Sequence, residues 1–220
     1  MLPMSSSDRV YLHGPTSVER HLAESFIQRI YAKAFGARVS HFMPLLLELR
    51  DDRGGRAVLG IRPASGAAPL FLEQYLDRPV EQEIAARANC PVDRDAIVEI
   101  GNLAADQRGA SKHLFVLLAA VLAAANYRWM AFTATPQVEK LIERLHYSPI
   151  AMQRVNPDRI GEQVHDWGSY YDAKPRVAYC DLRGAMDTAR NHIASARLLQ
   201  DNAVAIAAIA SQIGNQVAGL

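Results

Sequence analysis

The chain has 220 residues, enough for one domain with a sizeable core, and 24 Lys and Arg against 23 Asp and Glu leave a net charge of +1. That balance carries no basic footprint and argues against nucleic acid as the main partner. Cys90 and Cys180 stand far apart without metal-ligand spacing, which points to a reduced setting, with a single disulfide between them left open.

The first nine residues are Ser-rich and lack an apolar core of the kind a secretory leader needs. The longest apolar run, Leu114 to Ala125, is too short to span a bilayer, so the expectation is a cytoplasmic protein. Thr16-Ser17-Val18-Glu19 has capping-box spacing, and Val18, Leu22, Phe26, Ile27, Ile30 and Tyr31 recur at helical period until Gly36. A first helix is predicted over 17–35. Strands over 41–49 and 57–61 flank the turn Asp51-Asp52-Arg53-Gly54-Gly55 and make a hairpin. Short helices are expected over 70–76 and 80–88, and a strand opens at Ile97.

An almost wholly apolar helix is predicted over 110–126, covered on most sides. A strand over 129–133 precedes Thr135-Pro136, an N-cap and an N1 proline that start a helix reaching 146. Strands over 149–155 and 177–181 enclose a polar stretch with Trp167, Tyr170 and Tyr171. Residues 184–219 are Ala-rich and helical in pattern. The order is α/β with a mixed central sheet flanked by helices. It divides into a domain over 1–183 and a C-terminal Ala-rich helical tail over 184–220.

The stretch from Ile97 to Ala110 is where chemistry is expected. On a regular strand Ile97, Glu99, Gly101 and Leu103 share one face, and Val98, Ile100 and Asn102 the other. A one-residue bulge at Gly101 would bring Glu99 and Asn102 to the same face and free backbone groups to polarise a carbonyl. Glu99 could then hold an amine and take its proton; otherwise it pairs with an arginine or faces water. Arg108 and Gly109 open the apolar helix, where N–H groups and a guanidinium suit a phosphate, though an ordinary helix start fits too. Asp51 and Asp52 fit the turn by geometry alone. Glu73 and Glu81 are either plain surface carboxylates or specificity residues over the sheet edge. Trp167, Tyr170 and Tyr171 either wall an acyl pocket or pack the last strand. His113 suits a core position better than a base. The scattered histidines give no metal constellation, and no Gly-x-Ser-x-Gly elbow is present.

Glu99 to Ala105, with Asn102-Leu103-Ala104 at its centre and Trp167-Gly168-Ser169-Tyr170-Tyr171 and Pro175 downstream, resembles the bacterial thermostable hemolysin family. The layout is also similar to the GNAT acyltransferase fold. Its acyl-homoserine-lactone synthase branch is matched by the order Asp51-Asp52, Gly60-Ile61-Arg62-Pro63, Phe71 to Leu76 and Glu99. The resemblance implies an N-acyltransferase that moves a fatty acyl group from acyl-carrier protein or acyl-CoA to an amine or amino-acid-derived acceptor, with no permanently bound cofactor. It implies catalytic roles for Glu99, Gly101 and Asn102 and donor binding by Leu103, Ala104, Arg108, Gly109 and Ala110. It further implies substrate contacts from Arg62, Glu73, Trp167 and Tyr170.

Two departures stand out. Ser111 and His113 occupy later glycine positions of the usual phosphate loop, which makes a carrier-protein donor at least as compatible as coenzyme A. The usual acid tyrosine falls on Ile142, which has no proton to give. The competing readings are a membrane-active cytolysin and a non-catalytic acyl-pantetheine-binding module. The tail lacks the Lys and Arg density of an interfacial helix, so packing on its own domain or in a homodimer is expected instead.

Overall fold

The computed structural model describes residues 8–66, 68–106 and 109–217. Seven strands form one sheet in the order β1 (Arg9–His13), β2 (Leu45–Asp51), β3 (Gly54–Pro63), β4 (Ile97–Ala105), β5 (Trp129–Ala134), β7 (Arg176–Asp181) and β6 (Ile150–Arg154). Neighbours run antiparallel except β4 and β5, whose parallel pairing needs the crossover helix α3 (Ala110–Ala124).

Alternation along the strands separates two faces. Leu45, Leu47, Leu49, Leu59, Ile61, Val98, Ile100, Met130 and Phe132 pack with α3, which is buried without a break from His113 to Leu122. On the other face Leu46, Val58 and Ala104 lie under α1 (Arg20–Phe35), while Ile97, Trp129, Ala131 and Tyr179 lie under α2 (Val80–Ala88) and short 3-10 segments. The remaining helix before the tail, α4 (Pro136–Glu143), stands at the mouth of the sheet after β5 and stops short of the 146 expected.

Several boundaries differ from the sequence expectations. Strand β1 was not expected, since the terminus reads as polar; it pairs along β2, and His13 Nε2 meets the buried Glu48 Oε2 at 2.8 Å. The first helix starts at Arg20 rather than 17. Ser17 Oγ accepts the Gly14 N–H at 2.9 Å in a preceding turn, and Glu19 reaches Arg50 at 2.8 Å, so neither closes a capping box. Gly36 ends the helix at φ +65°, the left-handed stop its position suggested.

The tail is three helices, α5 (Leu182–Asn191), α6 (Ile193–Asp201) and α7 (Ala203–Val217). The expected division at 183/184 falls inside α5. Ala185, Met186, Leu198, Ile206, Ile209 and Ile213 join the α3 core and close its outer side. Among the described residues no single helix is long and apolar enough to cross a membrane; α6 and α7 reach that length only together and are bent by 69° at their junction. Cys90 and Cys180 are both free thiols.

Candidate active site

The site is made by two irregularities in β4. Its pairing with β5 ends at Ile100 and Phe132, although β4 runs on to Ala105 and β5 to Ala134, so the two strands part there. On its other side, the register with β3 shifts by one between Gly60–Gly101 and Val58–Ala104, a one-residue bulge in β4. The bulge was expected at Gly101 and falls one residue later, where Asn102 takes φ +50°. Asparagine tolerates that conformation better than other residues with a side chain.

Beyond the bulge the faces exchange. Ala104, and not Leu103, lies on the α1 side with Val58, while Leu103 turns toward α3. The Asn102 amide is bonded through both its oxygen and its nitrogen on that α1 side. Its Oδ1 accepts the Met43 N–H at 2.9 Å and its Nδ2 donates to the His41 carbonyl at 3.4 Å, so it ties down the segment between α1 and β2. Met43 in turn fills the space above two glycines: a Cβ at Gly60 or Gly101 would stand 2.6 Å from its side chain.

Glu99 is 2% exposed. Its Oε2 accepts the Phe71 N–H at 2.8 Å and its Oε1 the Leu72 N–H at 2.9 Å, so the carboxylate anchors the start of the 3-10 segment Phe71–Tyr75. Burial pushes its pKa up to about 7, against the pull of the two N–H donors and of Arg62, its cross-strand neighbour. A carboxyl group poised there can hold or release a proton near neutral pH.

A cavity of about 370 Å³ opens beside Glu99, within the range of small-molecule sites. It has two chemically different sides joined where β4 and β5 part. On the α3 side the lining is Ile100, Leu103, Phe115, Phe132, Val138 and Leu141. On the α1 side it is Arg62, Glu99 and the aromatic residues Tyr31, Phe35, Phe71, Tyr75, Trp167, Tyr170 and Tyr171. The Tyr75 and Tyr171 hydroxyls meet at 2.7 Å. The segment that carries Trp167 to Tyr171 is fastened to the end of α1 by Ser169 N–H to the Phe35 carbonyl at 2.9 Å and Arg38 N–H to the Asp166 carbonyl at 2.7 Å.

Of the residues expected at the site, Glu99, Gly101, Asn102, Leu103, Arg62, Trp167 and Tyr170 all line this cavity. Glu73 does not. It accepts the Leu70 and Val80 N–H groups at 2.7 and 3.0 Å and holds Arg94, which Glu81 also contacts, so both acids serve the fold of that segment. Ala104 is buried under α1 and Ala110 in the α3 core; Gly109 caps α3 at φ +89°, and Ser111 lines the cavity. Arg108 lies outside the described residues. His113 is a core residue, and Asp51 Oδ1 accepts the Arg53 N–H at 2.8 Å within the hairpin turn. Sequence reasoning missed Tyr31, Phe35, Phe71, Tyr75, His41 and Thr133. Apart from Thr133, their signal was present as aromatic residues in three separated segments, but the helical period of α1 assigned Tyr31 to ordinary core.

Residues 13–186 match the profile of the family described as Thermostable hemolysin. No curated protein sequence matches the chain. Among solved structures, the acyl-homoserine-lactone synthase LasI superposes with a TM-score of 0.55 at 13% identity, over 81% of this chain and 91% of LasI. BjaI, a CoA-dependent acyl-homoserine-lactone synthase solved with SAM and isopentyl-CoA, gives 0.55 at 13%, over 87% and 89%. FeeM, an N-acyl amino acid synthase from uncultured soil microbes, gives 0.54 at 13%, over 84% and 96%. The shared feature is the fold: a GNAT-like mixed sheet flanked by helices, here with C-terminal helices added.

Proposed function

The chain belongs to the thermostable hemolysin family, and from that premise we propose that it is an N-acyltransferase that moves an acyl group from a pantetheine thioester to an amine. The observation that carries this reading is the position of Glu99, a buried carboxyl group with its pKa near 7, beside a cavity lined from both faces of the sheet where strands β4 and β5 part. The names of the structural neighbours, all acyl-transferring synthases, agree with it.

In this reading the acyl chain lies on the apolar α3 side and the amine arrives from the α1 side. Backbone N–H groups near Gly101 and Asn102, freed where β4 leaves β5, face the thioester carbonyl and stabilise the oxyanion as the amine attacks. The C–N bond forms, the C–S bond breaks, and the amine proton passes through Glu99 to the departing thiolate, which leaves as a thiol. Asn102 serves by holding His41 and Met43 in place, since its amide is already bonded. The donor is acyl-CoA or an acyl-carrier protein, its phosphate meeting the start of α3 at Gly109 and Ala110 with Arg108, and its pantetheine arm running along Leu103.

Glu99→Gln removes the base and keeps one of the two N–H contacts, since its amide nitrogen is a donor and cannot accept the other. It is expected to lower turnover more than tenfold, in keeping with general-base contributions of about 10²–10⁴, with the circular dichroism spectrum unchanged. The readout is intact-mass analysis of amide product after incubation with acyl donors and a pool of amines. Turnover near that of the parent chain would remove Glu99 from the chemistry.

A further inference from the structure

Several arginines at the sheet hold carboxylates. Arg50 donates to Glu48 at 2.7 Å, Arg94 to Glu73 at 2.7 Å and Arg176 to Glu139 at 2.8 Å, and Arg56 holds Asp8. Arg62 is different. It is half-buried, it lines the cavity, and among the described residues its guanidinium has no hydrogen-bonding partner. Its five donors are therefore free to take an anion that enters the cavity.

Arg62 stands directly opposite Glu99 in the β3–β4 ladder, which sets their Cβ atoms about 5 Å apart on one face. The two do not form an ion pair. Glu99 spends one position on each oxygen on the Phe71 and Leu72 N–H groups, which leaves further lone pairs open to a donor. The cavity thus presents an open anion partner and an open ammonium partner side by side.

Past this pair the wall is made of ring surfaces. Trp167 and Tyr170 have centroids 5.3 Å apart, Tyr170 and Tyr171 5.2 Å, and the Tyr75 and Tyr171 hydroxyls share one hydrogen bond. Such a wall favours flat or cationic groups over a flexible alkyl tail.

We infer that the α1 side of the cavity is an acceptor subsite for an α-amino acid with a large, flat side chain. Its carboxylate sits on Arg62, its amine on Glu99 and its side chain against Trp167, Tyr170 and Tyr171. An α-amino acid carries its two charges on one carbon, which suits two cross-strand neighbours; a simple amine would leave Arg62 unpaired. The inference rests on the acyl-transfer reading for its purpose, since the subsite delivers the nucleophile of that reaction.

The test is calorimetric titration of the full chain with L-phenylalanine, phenethylamine and L-alanine. L-phenylalanine is expected to bind at least about tenfold tighter than either of the others, since each lacks one of the recognised groups. Arg62→Gln should collapse the preference for L-phenylalanine over phenethylamine while the preference for L-phenylalanine over L-alanine survives. Arg62→Lys should restore part of the lost preference. Equal binding of L-phenylalanine and phenethylamine by the parent chain would overturn the inference. Transfer from octanoyl-CoA or octanoyl-carrier protein only to amines without a carboxylate would overturn it too, leaving acyl transfer intact. Selective binding of L-phenylalanine with no transfer from either donor would support the subsite and sink the acyl-transfer reading instead.

Discussion

At Glu99, burial and hydrogen bonding oppose each other, and burial wins. The group is held near a pKa of 7 in the folded chain, above the usual carboxylate value of about 4.3. As a base it must be ionised, so kcat/KM is expected to rise with pH along a limb centred near 7, and Glu99→Gln should flatten that limb along with most of the rate. Stability runs the other way. A carboxyl whose pKa is raised by folding contributes fully at pH below its unfolded value and loses that contribution as pH rises through 7. The stability of Glu99→Gln relative to the parent, read from thermal denaturation, should therefore climb between pH 5 and pH 8 by an amount bounded at roughly 3 kcal/mol. A pH-independent difference in melting temperature would show that the carboxyl titrates normally. Glu99 was legible in the sequence because a lone acid in a run of β-formers is conspicuous. Arg62 was legible only through the resemblance. Glu73 was misplaced because a carboxylate that caps its own segment and one that faces a ligand look alike until the chain folds.

At the scale of elements, the α1–β2 segment, the bulge and two glycines form one packed unit. Met43 lies over Gly60 and Gly101, and Asn102 holds the Met43 N–H. The two glycines are not equivalent. A Cβ at Gly60 would meet Met43 Cβ and Cγ, close to the backbone, whereas at Gly101 it would meet Cε, the free end of a flexible side chain. Gly60→Ala is therefore expected to destabilise by about 1–3 kcal/mol, the usual cost of overpacking, and Gly101→Ala by less. Thermal denaturation measures both, and Met43→Ala, which keeps Cβ and removes Cε, should relieve the contact made by Gly101→Ala but not the one made by Gly60→Ala. Equal melting temperatures for the two glycine variants would mean that the Met43 packing is not as described. The strands here followed from alternation and the hairpin from its turn residues. The bulge was expected one position early because glycine is the usual signal for a left-handed residue, while Gly101 is needed for close approach and Asn102 supplies the turn of the backbone.

For the molecule as a whole, the question is whether the Ala-rich tail is a separable device or part of the fold. Composition could not decide it, because alanine suits both a close helix contact inside a domain and one between subunits. The structure places Met186, Leu198, Ile206, Ile209 and Ile213 in the α3 core. At about 1.5–3 kcal/mol for each large side chain buried, their loss approaches the whole stability of a typical domain, roughly 5–15 kcal/mol. Removal of the chain after Leu182 is thus expected to yield aggregated protein without a cooperative melting transition. Because such a variant cannot test a cytolytic role, the membrane reading needs substitutions that spare the core. Ile193 and Val204 are 89% and 86% exposed on α6 and α7, and changing both to lysine costs no buried area. If α6 and α7 entered a bilayer, two added charges would oppose insertion strongly, and dye release from liposomes would fall sharply in the double variant. The arrangement on α3 leads to the opposite expectation: little release by the parent chain, none lost in Ile193→Lys/Val204→Lys, and melting temperatures within about a degree, as for other exposed positions. Release by the parent that disappears in the double variant would make the tail a membrane device after all.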